Sequence, residues 1–422
     1  VNVRKALYAQ NENYPQEYRL KKTTVLNNIY GVDLMGPAVE IGKLRLWLSI
    51  ISELDEDVMD DLDDDELALP NIVFNLREGN SLIGYTGFPE TNGDDQYRLG
   101  SFSEDSVRDR YQDIIDEIEK HEQAFDSETA EKHRRRAFKK LQNAREELIE
   151  DIHGDFVEAG IEDFTPDEVE ELEPFNWVLE FAEVYADGGF DVIVGNPPWD
   201  VLRTNRDDYF SRYDPTFRTR MPEAKDAKME ELLEDPEIKA GWEQYNRQMQ
   251  ARADYFNNSG EYDLQSPVVD GKEVTSENEL SALFLERVYN IARGDAYVSL
   301  ILPNVIFTSS TAKDLRLHLL NDTTVDSLLH FENHGIFEGL HNQYRFGILT
   351  FQNRGQTDEL RGIFLEKNID VIEKFEEKTV KIPRKVLTNY SPEAALFPQI
   401  SSRGDTDPEN EVGVLSKLLD NP

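Results

Sequence analysis

Cysteine is absent from the 422 residues of this chain. Without thiols the protein forms no disulfide, binds no metal through thiolates and uses no cysteine nucleophile. Long apolar runs are also missing: hydrophobic residues make up 39% of the sequence, and none of their runs approaches the roughly 20 residues that a membrane-crossing helix needs. The sequence therefore excludes thiol-dependent chemistry and predicts no membrane-spanning segment.

Basic residues are scarce relative to acidic ones. The chain carries 45 Lys and Arg against 85 Asp and Glu, a formal net charge of −40. Such a surface can imitate DNA or bind basic proteins. It can also be an adaptation to concentrated salt, where a Debye length of roughly 3 Å at 1 M weakens self-repulsion. Because the acidic residues are spread along the whole chain, with a dense run at 53–66, we favour the halophilic interpretation.

Glycine first occurs at Gly31, and the chain begins with Val1 instead of Met. This start indicates an alternative start codon or a chain cut from a longer protein. No leader of basic and then apolar residues opens the sequence, so we expect a soluble protein that stays in the cytoplasm.

Strand-like and helix-like segments alternate as far as residue 355. Residues 25–34 (VLNNIYGVDL) read as a strand that ends at Asp33, and residues 37–51 read as an amphipathic helix with Pro37 in its first turn. Further strands are predicted at 71–74, 189–194, 296–302, 325–331 and 346–351. The pattern predicts an α/β protein with a Rossmann-like, doubly wound sheet that is incomplete at its N-terminus.

We expect the sheet-forming domain to span residues 1–355, with a helical insertion near 101–170. The insertion is predicted from highly charged, helix-forming runs. Its basic run 133–136 (HRRR) either contacts a DNA backbone or balances neighbouring glutamates. After residue 355 the pattern weakens, and residues 356–422 read as a linker to a further module.

The most informative motif is Asn196-Pro197-Pro198-Trp199, which follows the apolar strand at 190–194. Two prolines fix the backbone and donate no hydrogen bond, so they form a stiff turn. At the carboxyl end of a strand, where ligands bind in doubly wound sheets, this turn presents an amide oxygen and a carbonyl as two acceptors. With the flat face of Trp199 beside them, they suit an exocyclic amino group on a heteroaromatic ring.

Such acceptors explain a catalytic role. The amino nitrogen N6 of adenine is a poor nucleophile because its lone pair is delocalised into the ring. Two acceptors can draw this nitrogen towards tetrahedral geometry and free the lone pair for attack on a sulfonium methyl group. Methylation of cytosine at C5 is excluded because it needs a cysteine nucleophile, which the chain lacks.

Several blocks of the sequence resemble, in order, the adenine-specific methyltransferases fused to restriction enzymes of the Eco57I type and the related phage-defence methylases. The blocks are Val25–Leu48, Glu78–Gly84 (EGNSLIG), Pro174–Trp199 and Leu280–Pro303. The resemblance implies a DNA methyltransferase that transfers a methyl group from S-adenosyl-L-methionine to N6 of a flipped-out adenine in double-stranded DNA. It also implies that 356–422 lead to a target-recognition domain that is mostly absent.

The resemblance also assigns site residues. Asp33 would bind the ribose of the cofactor, or simply cap the following helix. Asn80 would contact the adenine of the cofactor, or serve only the turn that contains it. Phe284 would pack on the cofactor and Phe337 on the flipped base, although packing in the core explains either residue as well. The seven His residues show no metal-ligand spacing, and we expect no metal.

One departure from the family is clear: the glycine-rich loop that holds the methionine part of the cofactor is missing before Asp33. We therefore expect either that the chain is a fragment of a longer gene product or that an upstream-encoded chain supplies this loop. The alternative is an inactive remnant, or an acidic interaction subunit that needs a partner chain for cofactor binding. Methylation of a glutamine side chain in a protein is a further enzymatic alternative, and the helical insertion favours nucleic acid over it.

The charge of −40 leads to the first prediction. The melting temperature should rise steeply from low salt to molar KCl, because screening weakens repulsion among carboxylates. Thermal denaturation at the two salt concentrations measures this. A melting temperature that is unchanged or lower in molar KCl contradicts the halophilic interpretation.

Overall fold

The structure, a computed structural model, describes residues 15–54, 72–87, 104–123, 127–269, 271–274 and 278–399. Its internal contacts divide the chain into two units. The first unit comprises Val1–Gly93, Gly100–His153 and Thr165–Gly188, and the second comprises Asp94–Leu99, Gly154–Phe164 and Gly189–Pro422. Most of the acidic run 53–66 lies outside the described residues.

A two-stranded parallel sheet lies in the first unit. It pairs β1 (Gly31–Asp33) with β2 (Leu76–Glu78). Helix α1 (Gln16–Asn28) precedes the sheet, and α2 (Gly36–Ile51) follows β1 with Pro37 in its first turn, as predicted. The predicted strand at 25–34 is wrong in its first half, because residues 25–28 belong to α1. Val25 is buried there against Ile50, and a short apolar run does not distinguish a strand from a helix.

The second short strand also begins later than predicted. Of the expected strand at 71–74, Asn71 lies outside the described residues, and residues 73–75 form a turn ahead of β2. This turn is held by backbone bonds from Asn75 and Leu76 to the carbonyl of Ile72. The apolar side chains of Ile72 and Phe74 are buried by the turn itself, which is why the pattern resembles a strand.

Two long helices lie in the range where the charge pattern predicts helix-forming runs: α3 (Glu104–Glu122) and α4 (Ser127–Glu158). In α3, Val107, Ile114 and Ile118 are buried at helical spacing. Part of the positive charge of the basic run 133–136 is neutralised within α4, since Arg134 and Arg135 both pair with Glu131 of the same helix. These pairs favour the interpretation in which the run balances neighbouring glutamates.

A buried ion triad connects β2 to the two helical parts of the first unit. Arg77 lies 2.7 Å from the carboxylate of Glu180, and Arg145 on α4 lies 2.6 Å from the same group. Glu180 is 1% exposed. Burial alone raises the pKa of Glu180, but the hydrogen bonds and charges of Arg145 and Arg77 outweigh it and keep the pKa below its ordinary value.

The remaining helices of the first unit are short. They are α5 (Pro166–Glu170), α6 (Trp177–Glu180) and α7 (Ala182–Tyr185). Thr165 begins α5 with a capping box, in which its hydroxyl accepts from the backbone of Glu168 and the Glu168 carboxylate accepts from the backbone of Thr165.

A six-stranded mixed sheet forms the core of the second unit. Its strands are β3 (Phe190–Gly195), β6 (Ala292–Pro303), β7 (Thr324–Glu332), β8 (Arg345–Gln352), β9 (Glu359–Glu366) and β10 (Val380–Pro383). They lie side by side in the order β10-β9-β7-β8-β6-β3. The pairs β3–β6 and β7–β9 are parallel, whereas β8 runs antiparallel to both β6 and β7. The α/β class is thus confirmed, with a sheet of mixed direction.

The sheet continues beyond residue 355, after which the sequence predicts a linker. β9 reads ELRGIFLE, with Leu360, Ile363 and Phe364 buried, and it pairs with β7. The short strand β10 closes this side of the sheet by pairing with β9. Their apolar residues are few and interrupted by charges, so the strand signal in the sequence is weak.

Helices and a small hairpin complete the second unit. The helices are α8 (Arg206–Phe210), α9 (Pro222–Leu232), α10 (Pro236–Asn258), α11 (Leu280–Ile291), α12 (Val305–Thr308), α13 (Lys313–Asn321), α14 (Phe375–Lys378) and α15 (Arg384–Tyr390). The 3-10 turns are Phe217–Thr219, Ser310–Ala312 and Ile369–Lys374, and the hairpin pairs β4 (Val268–Val269) with β5 (Lys272–Glu273).

The buried triad leads to the second prediction. Glu180→Gln should lower the free energy of unfolding by about 3–5 kcal/mol, because it leaves a buried guanidinium without its counter-charge. Urea denaturation measures the change. Glu131→Gln is the matched control, since it removes a carboxylate between two arginines at the surface, and it should have little effect. Similar losses for the two variants would show that the triad has no special role.

Candidate functional site

Four strand termini of the second unit meet at one edge of the six-stranded sheet. The parallel strands β3 and β6 end there at Gly195 and Pro303, which lie near each other because Gly195 is paired with Leu300. β7 ends at Glu332, and the antiparallel strand β8 begins beside it with Arg345. The pairing of Pro303 with Phe346 fixes β6 and β8 in this register. The carboxyl edge of parallel strands is where ligands bind in α/β sheets.

The turn after β3 presents a free amide. Asn196 is exposed, and its side chain makes no hydrogen bond within the described part of the chain. Pro197 is buried and Pro198 is exposed, so one ring anchors the turn while the other faces outward. A polar side chain held on a rigid turn without a structural partner is available to a ligand.

The ring of Trp199 is fixed on several sides. Its Nε1 donates to the carbonyl oxygen of Ile301 at 3.2 Å. Tyr344 stacks on it with ring planes 4° apart and centroids 5.6 Å apart. Phe346 lies 5.8 Å away in a stacked arrangement, and Phe337 meets the ring edge-on at 5.6 Å. The aromatic plane that follows the Pro-Pro turn therefore has one defined orientation.

A cavity of about 420 Å³ opens beside this aromatic group. It is lined by Trp199, Glu279, Pro303, Asn304, Val305, Gln343, Tyr344 and Arg345. We call it the Trp199 pocket. Its wall combines two flat aromatic side chains with amide, carboxylate and guanidinium groups, which is a composition that suits a planar polar ring.

Phe337 and Tyr344 both contact Trp199, but only Tyr344 lines the pocket. The backbone N–H of Phe337 donates to Asn333 Oδ1 at 2.7 Å, and its carbonyl accepts from Asn333 Nδ2. Phe337 is partly buried among the apolar residues behind Trp199, so it supports the pocket from behind. Tyr344 lines the pocket itself and is a site residue that the sequence did not predict. The available signal was an aromatic residue directly before the start of β8.

Burial first, and then the charges of Glu279 and Asp200, raise the pKa of Tyr344. Its hydroxyl therefore stays protonated at neutral pH and remains able to donate a hydrogen bond. The phenol ring adds an apolar face next to Trp199 without adding charge to the pocket.

Behind the pocket wall, His330 holds the amide of Asn304. The His330 Nε2–H donates to Asn304 Oδ1 at 2.9 Å, while Nδ1 accepts from the backbone of Leu365. Burial, and then the nearby charge of Arg345, lower the pKa of His330 to about 4. A proton on Nδ1 would also face the N–H of Leu365, so the contacts agree with a neutral ring.

In the first unit, Asp33 lies at the end of β1. One carboxylate oxygen accepts from the backbone of Met35 at 2.8 Å, so Asp33 does cap the turn into α2. The side chain is nevertheless exposed, and so are the apolar neighbours Leu34 and Met35. The second carboxylate oxygen and an apolar surface beside it fit a ribose and a base, respectively.

Asn80 lies close to Asp33, since the backbone of the adjacent Gly79 donates to the Asp33 carbonyl at 3.0 Å. The amide of Asn80 is buried and already bonded: Oδ1 accepts from the backbone of Leu82, and Nδ2 donates to the Leu172 carbonyl. This arrangement matches the turn-building alternative for Asn80.

Phe284 lies on helix α11 in the second unit and is partly buried, whereas its neighbour Leu283 is fully buried. The second unit thus brings together Asn196, Trp199 and Phe337, and the first unit brings together Asp33 and Asn80. In the described ranges, no three His, Asp or Glu side chains are placed to share a metal ion. None of the helices in these ranges is both long and apolar enough to cross a membrane.

The fold and the Pro-Pro turn define a class of α/β protein whose candidate site lies at the carboxyl edge of its sheet. The sequence profile of the Eco57I restriction-modification methylases matches residues 27–230 and 246–337. Because these ranges make up more than half of the chain, the protein belongs to the Eco57I restriction-modification methylase family. The resemblance drawn from the sequence is confirmed.

A protein of Methanocaldococcus jannaschii, named as a type II restriction enzyme and methyltransferase, is 26% identical over 256 residues. The match covers 48% of this chain and 20% of that protein, so the chain matches about a fifth of the relative's length.

Among solved structures, a modification subunit of a type I restriction enzyme from Vibrio vulnificus matches 32% of this chain and 34% of its own length. Its sequence identity is 13% and its TM-score 0.25. The M protein of the type I restriction enzyme EcoKI matches 36% of this chain and 44% of its own length, with 10% identity and a TM-score of 0.26. Likeness at these scores is partial.

The third prediction concerns His330. Its pKa of about 4 when folded is below the ordinary 6.5, so the unfolded chain binds the proton more readily. The stability that the neutral ring contributes should be present above pH 6.5 and be lost as the pH falls towards 4, by up to about 3 kcal/mol. His330→Gln, which can both donate and accept, should reduce this pH dependence. Urea denaturation from pH 4 to pH 7 measures it.

The matched control is His341→Gln, a substitution at an exposed position of the same unit. If His330→Gln and His341→Gln keep the same pH dependence as the wild-type protein, His330 is not the residue that senses pH in this window.

Proposed function

We propose that this protein transfers a methyl group from S-adenosyl-L-methionine to N6 of an adenine that is flipped out of double-stranded DNA, as part of a restriction-modification or phage-defence system. The observation that carries the proposal is the exposed amide of Asn196, which bonds to none of the residues that the structure describes and lies on a rigid turn next to the Trp199 pocket. Membership of the Eco57I family supports it.

The pocket suits a flipped base. A base removed from the duplex loses its stacking, and enzymes that act on bases restore it with aromatic side chains. Trp199, held by Ile301 and by three aromatic neighbours, supplies a fixed face with Tyr344 beside it. Because the Trp199 ring is already oriented, little side-chain entropy is lost when a base binds.

In the proposed mechanism, the Oδ1 of Asn196 and the carbonyl of Pro197 accept the two N–H bonds of the adenine amino group. They draw the nitrogen towards tetrahedral geometry and stabilise the positive charge that develops on it. The turn holds these acceptors without rearrangement, because the two prolines restrict its backbone. The cofactor supplies the methyl group, and the residues of the turn position the nucleophile.

For the cofactor, Asp33 fits the ribose hydroxyls and the exposed Leu34 and Met35 fit the base. Asn80 and Phe284 remain cofactor-binding proposals, with Asn80 acting through its turn. The proposed catalytic domain is Rossmann-like with the helical insertion near 101–170, and its sheet extends past the expected boundary at 355 as far as β10 (Val380–Pro383). An upstream-encoded chain that carries a glycine-rich loop is a proposed partner.

The fourth prediction tests the turn. Asn196→Ala should lower the rate of methyl transfer about 10²–10³-fold, as the loss of one preorganised dipole does in other enzymes, without changing the melting temperature. The rate is measured by transfer of a tritiated methyl group to DNA of mixed sequence. The chain is assayed alone and together with the polypeptide encoded immediately upstream.

Asn342→Ala is the matched control, because Asn342 is an exposed asparagine of the same unit outside the turn. It should transfer methyl groups at the wild-type rate. More than a tenth of the wild-type rate in Asn196→Ala would refute the catalytic role of Asn196. If the wild-type chain transfers no methyl group under either condition, the proposed activity itself is wrong.

A further inference from the structure

The last described segment of the chain, residues 391–399, crosses the second unit as a strap. Arg316, which is fully buried, holds this strap by its backbone: Nε donates to the carbonyl of Ala395 at 2.8 Å, and Nη2 donates to that of Ala394 at 2.7 Å. No carboxylate of the described residues pairs with Arg316, and such a guanidinium is costly to bury. Burial lowers the pKa of Arg316 to about 9. The carbonyl bonds are therefore essential to this arrangement.

The same guanidinium also holds helix α12. Its Nη1 donates to the carbonyl of Ile306 at 2.6 Å, and Nη2 donates to that of Ser309 at 2.7 Å. Next to it, the backbone of Phe397 in the strap donates to the Phe307 carbonyl at 3.0 Å, and the two rings stack at 6.3 Å. The strap and α12 are thus fastened to each other at several points.

The strap ends at the Trp199 pocket. The amide of Gln399 donates from Nε2 to Asn304 Oδ1, and its Oε1 accepts from Arg345 Nη1 at 2.8 Å. Asn304 and Arg345 both line the pocket, and Asn304 directly precedes α12. Through one side chain, the strap therefore contacts two polar residues of the pocket wall on two different segments of the sheet edge.

We infer that Gln399 is a positioning residue: it holds Asn304 and Arg345 in the wall of the Trp199 pocket, so that the strap sets the shape of the base-binding site. The inference rests on the proposed function, because it takes the occupant of the pocket to be a purine base. It makes the pocket sensitive to the position of the chain that follows α15 (Arg384–Tyr390).

The hydrogen bonds of Asn304 and Arg345 explain why Gln399 fixes these two residues in particular. Asn304 Oδ1 accepts from both His330 and Gln399, while its Nδ2 donates to Thr308 Oγ1 at 3.0 Å. With every polar atom of the amide bonded, Asn304 has one orientation. Arg345 is likewise held between Gln399 and Glu332. Loss of Gln399 removes one of the two hydrogen bonds that Asn304 Oδ1 accepts. It also lets the guanidinium of Arg345 turn towards Glu332.

The test compares Gln399→Leu and Gln399→Glu with the wild-type chain. Gln399→Leu removes the hydrogen bonds to both Asn304 and Arg345. Gln399→Glu keeps an acceptor for Arg345 but cannot donate to Asn304. The control is Gln352→Leu, because Gln352 lies at the opposite end of β8 from Arg345 and donates to the backbone of Asp295. Melting temperatures identify any variant that fails to fold.

The first readout is binding of 2-aminopurine deoxyribonucleoside monophosphate, a fluorescent purine whose emission falls on stacking. Gln399→Leu should raise its Kd about tenfold, the size expected from losing the alignment of a polar wall. Gln399→Glu should recover part of the affinity, and Gln352→Leu should match the wild-type protein. A purely structural role for Gln399 predicts instead a lower melting temperature with an unchanged Kd, and this result would overturn the inference.

The second readout does not depend on the proposed function. The backbone N–H of Asn304 donates to the Arg345 carbonyl at 3.0 Å, and its hydrogen exchange should become about tenfold faster in Gln399→Leu but not in Gln352→Leu. Unchanged exchange overturns the inference. If the wild-type chain binds no nucleotide while exchange at Asn304 responds to Gln399, the base-binding function is wrong and the coupling of the strap to the pocket wall stands.

Discussion

The hydrogen-bond ladder of β8 determines where the candidate site lies. This strand runs antiparallel between β6 and β7, so it begins at the edge where both of its neighbours end. Its register places Phe346 opposite Pro303 and Phe331 at the same time. The loop before the strand then brings Tyr344 beside Trp199, and the first residue of the strand brings Arg345 to the wall. A slip of one residue in this ladder would reverse the faces of all these side chains and abolish the pocket.

The asparagines described above differ in whether their side-chain amides are bonded within the fold or available to a ligand. Asn80, Asn304 and Asn333 each donate and accept through their side chains within the described structure, and each fixes a turn or a loop end. Asn196 is different, because its amide is exposed and bonds to none of the described residues. The protein loses stability when a buried amide is deprived of its hydrogen-bond partner. An exposed amide on a stiff turn stays solvated and does not destabilise the fold. This contrast is the physical basis for assigning a chemical role to Asn196.

The sequence alone predicts the α/β class, the helical insertion, the Pro-Pro turn and the family. It does not predict the antiparallel direction of β8, because apolar alternation carries no information on strand direction. It therefore proposes Phe337, which follows a strand signal, and misses Tyr344, whose place depends on the register of β8. The strands β9 (Glu359–Glu366) and β10 (Val380–Pro383) are missed for a different reason: charges interrupt their apolar residues, and they join the sheet through the pairing of β9 with β7 and of β10 with β9.

The buried guanidinium of Arg316 has a consequence for how segments of this protein can be exchanged with those of its relatives. Its carbonyl acceptors come from two separate stretches of chain, and the later stretch includes Ala394 and Ala395. In a chimaeric protein with a junction before these residues, the arginine keeps all of its acceptors only if the new segment places its backbone carbonyls along the same path; otherwise it loses two of the four. The charge then has to draw in water or break up α12 (Val305–Thr308). Functional exchange of downstream segments should therefore require junctions after Gln399, a boundary that lies well beyond the last helix of the sheet domain.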